Sequence, residues 1–255
     1  MDVKGQVQDQ FGAVARNYVT SAVHVRGADL DRIGEEAAAL KPKVALDVGT
    51  AAGHVALALA PHAATVVGLD LTAPMLEQAQ RVMAERGVGN VRLVRGDVEH
   101  LPIADGSIDL ATSRFSAHHY PHPALFAAEV ARVLRPGGQL LLSDTVSPPD
   151  AALDEWINRI EVLRDPSHVR NHTVDEWRTY LGEAGLRVEL LTEWHLRLDF
   201  EDWLTRMRTP EQSAATIRSM IREATSSALE AFDVDTSAER WSFALHAALL
   251  RAVRP

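Results

Sequence analysis

The chain has 255 residues, 46% of them hydrophobic, and 35 acidic against 26 basic side chains leave a net charge of −9. That length suits one α/β domain with a substantial core, and an acidic balance with scattered arginines is wrong for a phosphate backbone, so nucleic acid is not an expected partner. Zero cysteines exclude a thiol nucleophile, Cys-ligated zinc and disulfides; no apolar run approaches the roughly 20 residues of a membrane span and the N-terminus lacks a signal-type apolar segment, so the cytoplasm is the expected location.

Two helices come first, Val7–Val19 and Asp29–Leu40, joined through Thr20–His24. Strands and helices then alternate. Strand Val44–Val48 leads to helix His54–Ala60, and strand Thr65–Asp70 to a helix running through Arg86. In that helix Thr72 can cap, Pro74 lies in the first turn, and Met75, Leu76, Ala79, Val82 and Met83 share an apolar face. Next come strand Val91–Arg95, a turn at Asp105-Gly106, strand Ile108–Ser113, a helix through Leu134, and strand Gln139–Asp144 after the break at Arg135-Pro-Gly-Gly138. This alternation predicts a doubly wound parallel sheet. Beyond it a helix spans Ala151–Leu163, Asp165-Pro-Ser167 interrupts, and Thr173-Val-Asp-Glu176 has the capping-box pattern for a helix ending near Gly185. A strand from Arg187, a helical stretch from Glu211 to Phe232 with Ile217, Met220, Ile221 and Ala224 on one face, and an alternating strand over Trp241–Val253 complete the chain.

The most informative run is Val44-Ala-Leu-Asp-Val-Gly-Thr-Ala-Ala-Gly-His54, a strand ending near an acid, then a loop of small residues, then a helix. Such a loop lets backbone approach a nucleotide-type ligand at the end of a parallel sheet. Asp70 ends the next strand at about the 20-residue offset at which a carboxylate reaches ribose hydroxyls. The dinucleotide pattern Gly-x-Gly-x-x-Gly is not met, because Ala51 and His54 stand at its second and third glycines. Asp47, two residues before Gly49, would repel a pyrophosphate but suits an ammonium group such as the amino-acid end of S-adenosylmethionine (SAM). Hydride chemistry with NAD is the weaker reading.

Five segments now share an order and spacing: Leu46–His54, Val67–Met75, Gly96-Asp97, Leu101–Asp109 and Arg132–Gly138. In them the chain resembles class I SAM-dependent methyltransferases, and more narrowly the ubiquinone/menaquinone-biosynthesis methyltransferase-like group. Phe11–Tyr18 with Ser21 and His24, Ser116–Tyr120, and Arg164–Arg170 resemble a narrower bacterial subset of it. The resemblance implies a seven-stranded Rossmann-like sheet forming one domain over 1–255: a helical lid at 1–40, a SAM-binding core at 41–146, and acceptor-side helices and final strands at 147–255. It implies that Asp47 and the loop Gly49, Thr50, Ala51, Gly53 hold the methionine moiety and that Asp70 binds the ribose. Leu71 and Met75 would flank the adenine, Gly96, Asp97 and Val98 would meet its amino group, and Arg114 and Ser116 would reach the methionyl end. Tyr18, on the expected lid, would close over SAM or the acceptor, with ordinary helix packing as its competing role. The family's middle glycine is Ala51 here, which makes the loop less open.

Methyl transfer needs an aligned acceptor, exclusion of water and, for some acceptors, removal of one proton. No metal is expected. His119 and His118, after the fourth strand, are candidate bases, with helix capping or wall packing as competing roles; His24 on the lid is a third candidate. His168 falls either in the acceptor pocket or on a surface Asp-Pro turn. The five tryptophans are expected to pack in core and lid, with Trp156 and Trp177 the two whose competing role is to line an acceptor pocket. The reading is methyl transfer to a small organic acceptor, quinone-like or a natural product, by C-, O-, N- or S-methylation. The alternative is a SAM-binding protein of the same fold that cyclises or regulates. A homodimer stays open.

Overall fold

Valine- and leucine-rich runs form strands where helices can cover both faces. In the computed structural model, which describes residues 3–20 and 22–255, β1 (Val44–Val48), β2 (Thr65–Asp70), β3 (Val91–Arg95), β4 (Ile108–Arg114) and β5 (Leu134–Thr145) pair in parallel. The side chains of residues 16–18, 20, 22 and 23 also lie outside the description, so Tyr18 and Ser21 of the sequence reading cannot be followed. Two long strands, β6 (Arg187–Asp199) and β7 (Ser242–Val253), complete a seven-stranded sheet of order β3-β2-β1-β4-β5-β7-β6, with β7 antiparallel to both its neighbours. The order reverses between β1 and β4. Ligands bind at the carboxyl ends of the strands at such a switch point.

Period-two alternation divides the core. Ala45, Val66, Leu110, Leu141 and Leu249 turn to one face, where α3 (Ala28–Leu40) and α4 (His54–Leu59) cover them. Leu46, Ala111, Leu140, Leu142 and Leu250 turn to the other, against α6 (Pro123–Val133) and α8 (Val174–Glu183). The helix α5 (Ala73–Glu85) buries Met75, Ala79, Val82 and Met83, as its periodicity predicts. Thr72 is its N-cap residue by position, but its side chain makes no capping bond. The capping box Thr173/Glu176 forms in full at the start of α8.

The structure changes several boundaries. The first helix, α1, begins at Val3 and runs to Thr20, and the expected connection holds a short helix, α2 (Ala22–Val25). β5 starts at Leu134 because the Pro-Gly-Gly run pairs with the chain's end: Gly137 N donates to Arg254 O and Arg254 N to Gly138 O, at 2.8 and 2.9 Å. The helical stretch after residue 210 is two helices, α10 (Glu211–Arg222) and α11 (Ser226–Ala231), because the Thr225 side chain caps a new start by accepting from Ala228 N. Ala224 falls in the break. A helix absent from the sequence reading, α9 (Phe200–Met207), buries Phe200, Trp203, Leu204 and Met207 on one face. With α7 (Ala151–Arg164) it forms a separate apolar cluster against the ends of β6 and β7.

A buried ion pair ties α3 to the sheet. Asp29 accepts from Arg114 Nε at 2.6 Å and Nη2 at 3.0 Å, and from Ser143 Oγ at 2.7 Å, while Arg114 Nη1 reaches His24 O at 2.9 Å. Both side chains are 3% exposed. Removing one partner of such a pair strands a buried charge, so Asp29→Ala should lose about 3–5 kcal/mol of unfolding free energy in urea denaturation; a loss below about 1 kcal/mol would show the pair to be screened.

Candidate active site

A cavity of about 920 Å³ opens at the carboxyl ends of β1, β2 and β4. Its floor is the loop after β1. Gly49 takes φ 73°, and a Cβ there would stand 2.1 Å from Ser116 Oγ, so only glycine lets the loop pass beneath the turn after β4. Its amide and that of Thr50 donate to Leu69 O at 2.8 and 2.9 Å. Ala51 takes φ 46°, the left-handed region that a glycine would occupy without strain. Gly49, Thr50 and Ala51 line the cavity; Gly53 and Asp47 do not.

Asp47 instead holds the loop from behind. Its carboxylate accepts from Thr50 Oγ1 at 2.6 Å, Thr112 Oγ1 at 3.1 Å and Ala56 N at 3.1 Å. Burial pushes its pKa up to about 6 in spite of these bonds. Asp47 itself therefore stays off the cavity wall, and Thr50, which it holds, is on it. A Cβ on Gly53 would meet Met83 Cε at 2.7 Å, so that glycine serves the packing of α4 on α5. Gly96 likewise lies off the wall, packed against Leu69 and Pro102.

Asp70, Leu71, Met75, Asp97 and Val98 all line the cavity. Asp70 accepts from Ala51 N at 2.9 Å and Thr72 N at 2.8 Å, and burial raises its pKa. Lys4 of α1, absent from the sequence reading, lines the cavity too and bridges Asp97 Oδ2 at 2.6 Å and buried Glu99 Oε2 at 2.5 Å. Burial disfavours the charge on Asp97, but Lys4 outweighs it and lowers the pKa. Val7 and Phe11 of the same helix face the cavity, and Gln8 donates to Leu71 O at 3.2 Å. The first helix thus covers the cavity.

The far wall is the turn after β4, and Asp144 shapes it. The amides of Ser116, Ala117 and His118 donate to Asp144 Oδ2 at 3.2, 2.6 and 3.2 Å, and His118 Nδ1 lies 2.6 Å from Oδ1. Arg114, Ser116 and His24 reach the cavity wall. So does Tyr120, whose hydroxyl bonds Ser113 Oγ and Ser116 Oγ at 3.0 and 2.9 Å. The sequence reading assigned Tyr120 no role; its signal was its adjacency to the His118-His119 pair.

A second cavity, of about 520 Å³, lies on the other side of His24, Phe115 and His119, which line both. His118 lines only the second. His119 Nδ1 is 2.9 Å from the Ser167 carbonyl, which can only accept, so Nδ1 carries the hydrogen and Nε2 is bare in the neutral ring. Nε2 lies 4.0 Å from buried Asp165. Burial and the neighbouring His118 hold the His119 pKa down, to about 4. His118 shifts the other way: burial opposes its charge, but Asp144 outweighs burial and raises the pKa. His24 is lowered well below its usual value by burial, then by Arg206 and Arg114. His168 is buried, its ring 5.4 Å from that of His118, and lines neither cavity; in its turn Asp165 and Ser167 are buried while Pro166 is exposed. Trp177 packs in the core against Phe126 and Trp156 against Phe232, as the packing expectation has it, and neither lines either cavity; Trp203 lines the second. Among the described residues no group of three or more acidic or histidine side chains is arranged to hold a metal ion.

A methyltransferase-domain family profile matches residues 46–142. An uncharacterized methyltransferase, YcgJ of Bacillus subtilis, is 34% identical over 96% of this chain and 97% of its own. The chain belongs to the SAM-dependent methyltransferases. The crystal structure of YcgJ superposes on this methyltransferase with a TM-score of 0.85, covering 89% of this chain and 97% of that one. A putative methyltransferase from Bacillus halodurans gives 0.86 at 36% identity, covering 90% and 100%. A demethylmenaquinone methyltransferase from Thermus thermophilus is 38% identical over 44% of this chain and 51% of its own. Among the described residues no helix is long and apolar enough to cross a membrane.

The two neighbouring histidines of the methyltransferase should titrate apart. A lowered pKa keeps His119 neutral as pH falls, and a raised one keeps His118 protonated as pH rises past 6.5. Nitrogen-detected NMR of the imidazoles should show His119 neutral down to about pH 5 while His118 stays protonated above pH 6.5; joint titration of both rings near 6.5 would refute this electrostatic picture.

Proposed function

We propose that this methyltransferase acts on a small organic acceptor, with SAM in the larger cavity, the acceptor in the smaller one, and His119 as the base between them. The observation that carries this reading is a neutral imidazole in the wall common to two adjoining cavities. When bound, SAM supplies a methyl group activated on a sulfonium. The residues present fit it: a glycine cradle that a Cβ would fill and carboxylates at the ends of successive strands.

In this reading Asp70 accepts from the ribose hydroxyls, Leu71, Met75 and Val98 sandwich the adenine, and Asp97 accepts from its amino group once Lys4 yields that oxygen. Gly49, Thr50, Ala51, Arg114 and Ser116 face the methionyl end. His24 and Phe115 partition the cavities and exclude water. His119 can take a proton at Nε2, and Asp165 at 4.0 Å stabilises the resulting cation. Burial keeps His119 in its base form through the neutral range but weakens it as a base, a cost that Asp165 offsets in part as the proton arrives. Formation of S-adenosylhomocysteine only in the presence of an acceptor separates this reading from a non-methylating SAM protein.

Calorimetry tests the cofactor half directly. S-adenosylhomocysteine should bind and NADH should not, and Asp70→Ala should lose about 1.5–3 kcal/mol of that binding, roughly tenfold to a hundredfold in Kd. Unchanged affinity in the variant would remove Asp70 from the site.

A further inference from the structure

The His118 and His119 rings stand side by side on the wall of the second cavity, their centroids 4.2 Å apart. Each has one nitrogen committed. His118 Nδ1 lies 2.6 Å from Asp144 Oδ1, and His119 Nδ1 donates to Ser167 O at 2.9 Å. The Nε2 atom of each ring makes no hydrogen bond. Among the described residues four buried side-chain polar atoms lack a partner, and neither Nε2 is one of them, so both are open rather than sealed in the packing. His119 Nε2 is 4.0 Å from Asp165, which lines the second cavity as well. The His118 side chain keeps 15% exposure, and it lines this cavity and not the larger one.

The two open nitrogens differ in what they offer. Asp144 Oδ2 already accepts from three backbone amides, so the carboxylate is ionised and His118 Nδ1 donates to it. Burial opposes a charge on His118, but Asp144, then Glu161 and Asp165, outweigh it, and the ring carries its second hydrogen on Nε2. His119 is neutral, so its Nε2 accepts. The charges around the pair are engaged elsewhere. Arg164 Nη1 pairs with Glu161 at 3.1 Å and its Nε donates to Trp203 O at 3.2 Å. Asp165 Oδ1 accepts from Ser167 N and Oγ at 2.9 and 2.6 Å. Burial holds His24 and His168 neutral. Arg206 is the remaining cation on the wall, and Leu196, Leu198, Leu245 and Phe115 make it apolar elsewhere.

A donor and an acceptor on adjacent rings match the two atoms of one hydroxyl group. We infer that His118 is a second catalytic residue, its Nε2–H donating to the acceptor's hydroxyl oxygen while His119 Nε2 takes the proton, and that the acceptor is an acidic hydroxyl of the phenol or enol class on an apolar body. The inference rests on the reading above, in which this cavity is the acceptor side of a methyltransferase. A protonated amine offers no lone pair to His118, and a carboxylate offers no proton to His119. In the step the O–H bond breaks and its proton passes to His119. An oxygen lone pair forms the bond to the methyl carbon, and the carbon–sulfur pair stays on the sulfur of S-adenosylhomocysteine. His119 then returns the proton to solvent. An aliphatic alcohol is too weak an acid for a base as weak as His119, whereas a cationic donor on the oxygen brings a phenol or enol within its range. Nucleophilicity of the oxygen falls less steeply than its pKa, so near neutral pH the larger anion fraction prevails.

The test adds para-nitrophenol, whose anion absorbs visible light, to the full chain saturated with S-adenosylhomocysteine. The bound phenol should ionise about one pH unit below the free one, its anion binding about tenfold more tightly than its neutral form. His118→Gln should abolish that shift and leave the S-adenosylhomocysteine affinity unchanged, which also shows that the variant is folded. In the unaltered chain the His118 Nε2 resonance should move when the phenol is added, a reading that needs no variant. Ionisation of the bound phenol at or above the pH of the free one overturns the inference. So does a His118 resonance that ignores the probe, a shift that persists in folded His118→Gln, or no binding of para-nitrophenol while S-adenosylhomocysteine binds normally. Failure of S-adenosylhomocysteine to bind the unaltered chain overturns the underlying reading instead.

Discussion

The carboxylate of Asp144, at the end of β5, accepts from three successive amides of the turn after β4, from Thr145 N at 2.7 Å and from the His118 imidazole. It is 2% exposed. Burial alone would raise its pKa, but His118 and the amides overcome that and hold the carboxylate ionised. The turn that carries Ser116, His118 and His119 therefore has one geometry available. That turn is the partition between the two cavities, so the placement of His119 follows from a charge it never touches.

Strain accompanies this arrangement at two points. Phe115, next to the turn, takes φ 48°, and Ala51, in the facing loop, takes φ 46°. Non-glycine residues hold such conformations only where their surroundings over-determine them, and they gather at ligand sites. Phe115 is fixed by its amide bond to Ser143 O at 2.9 Å and by the Arg114 guanidinium 4.6 Å from its ring. Ala51 is fixed by its amide bond to Asp70. Both strained residues face the larger cavity.

The covering helix completes the enclosure with polar ties at several points. Lys4 pairs with Asp97 and Glu99, Gln8 with Leu71 O, and Gln10 with Met207 O at 2.8 Å. Val14 and Ala15 of the same helix are buried in a cluster with Met75 and Met207, so the cover is held by apolar as well as polar contacts. The pairing of Lys4 with Asp97 means that the cover and the adenine end of the proposed site share one carboxylate.

What the amino-acid sequence by itself determined was the local and periodic part of the molecule. The β1 loop with its small residues, the acids ending β2 and β3, the amphipathic face of α5 and the capping box of α8 all depend on neighbours within a few residues, and each stands where its pattern predicts. The family follows from the same segments. Only the tertiary structure decided which of these residues face a cavity. Asp47, Gly53 and Gly96 have the expected spacing, yet packing turns them to hold the loops from behind. Lys4 meets Asp97 across 93 positions of sequence, and His119 meets Ser167 across 48. Glu161 and Trp203 belong to no motif at all. They are joined through Arg164, with α9 folding back onto α7, and no local spacing encodes that contact because burial of two distant apolar faces against each other creates it.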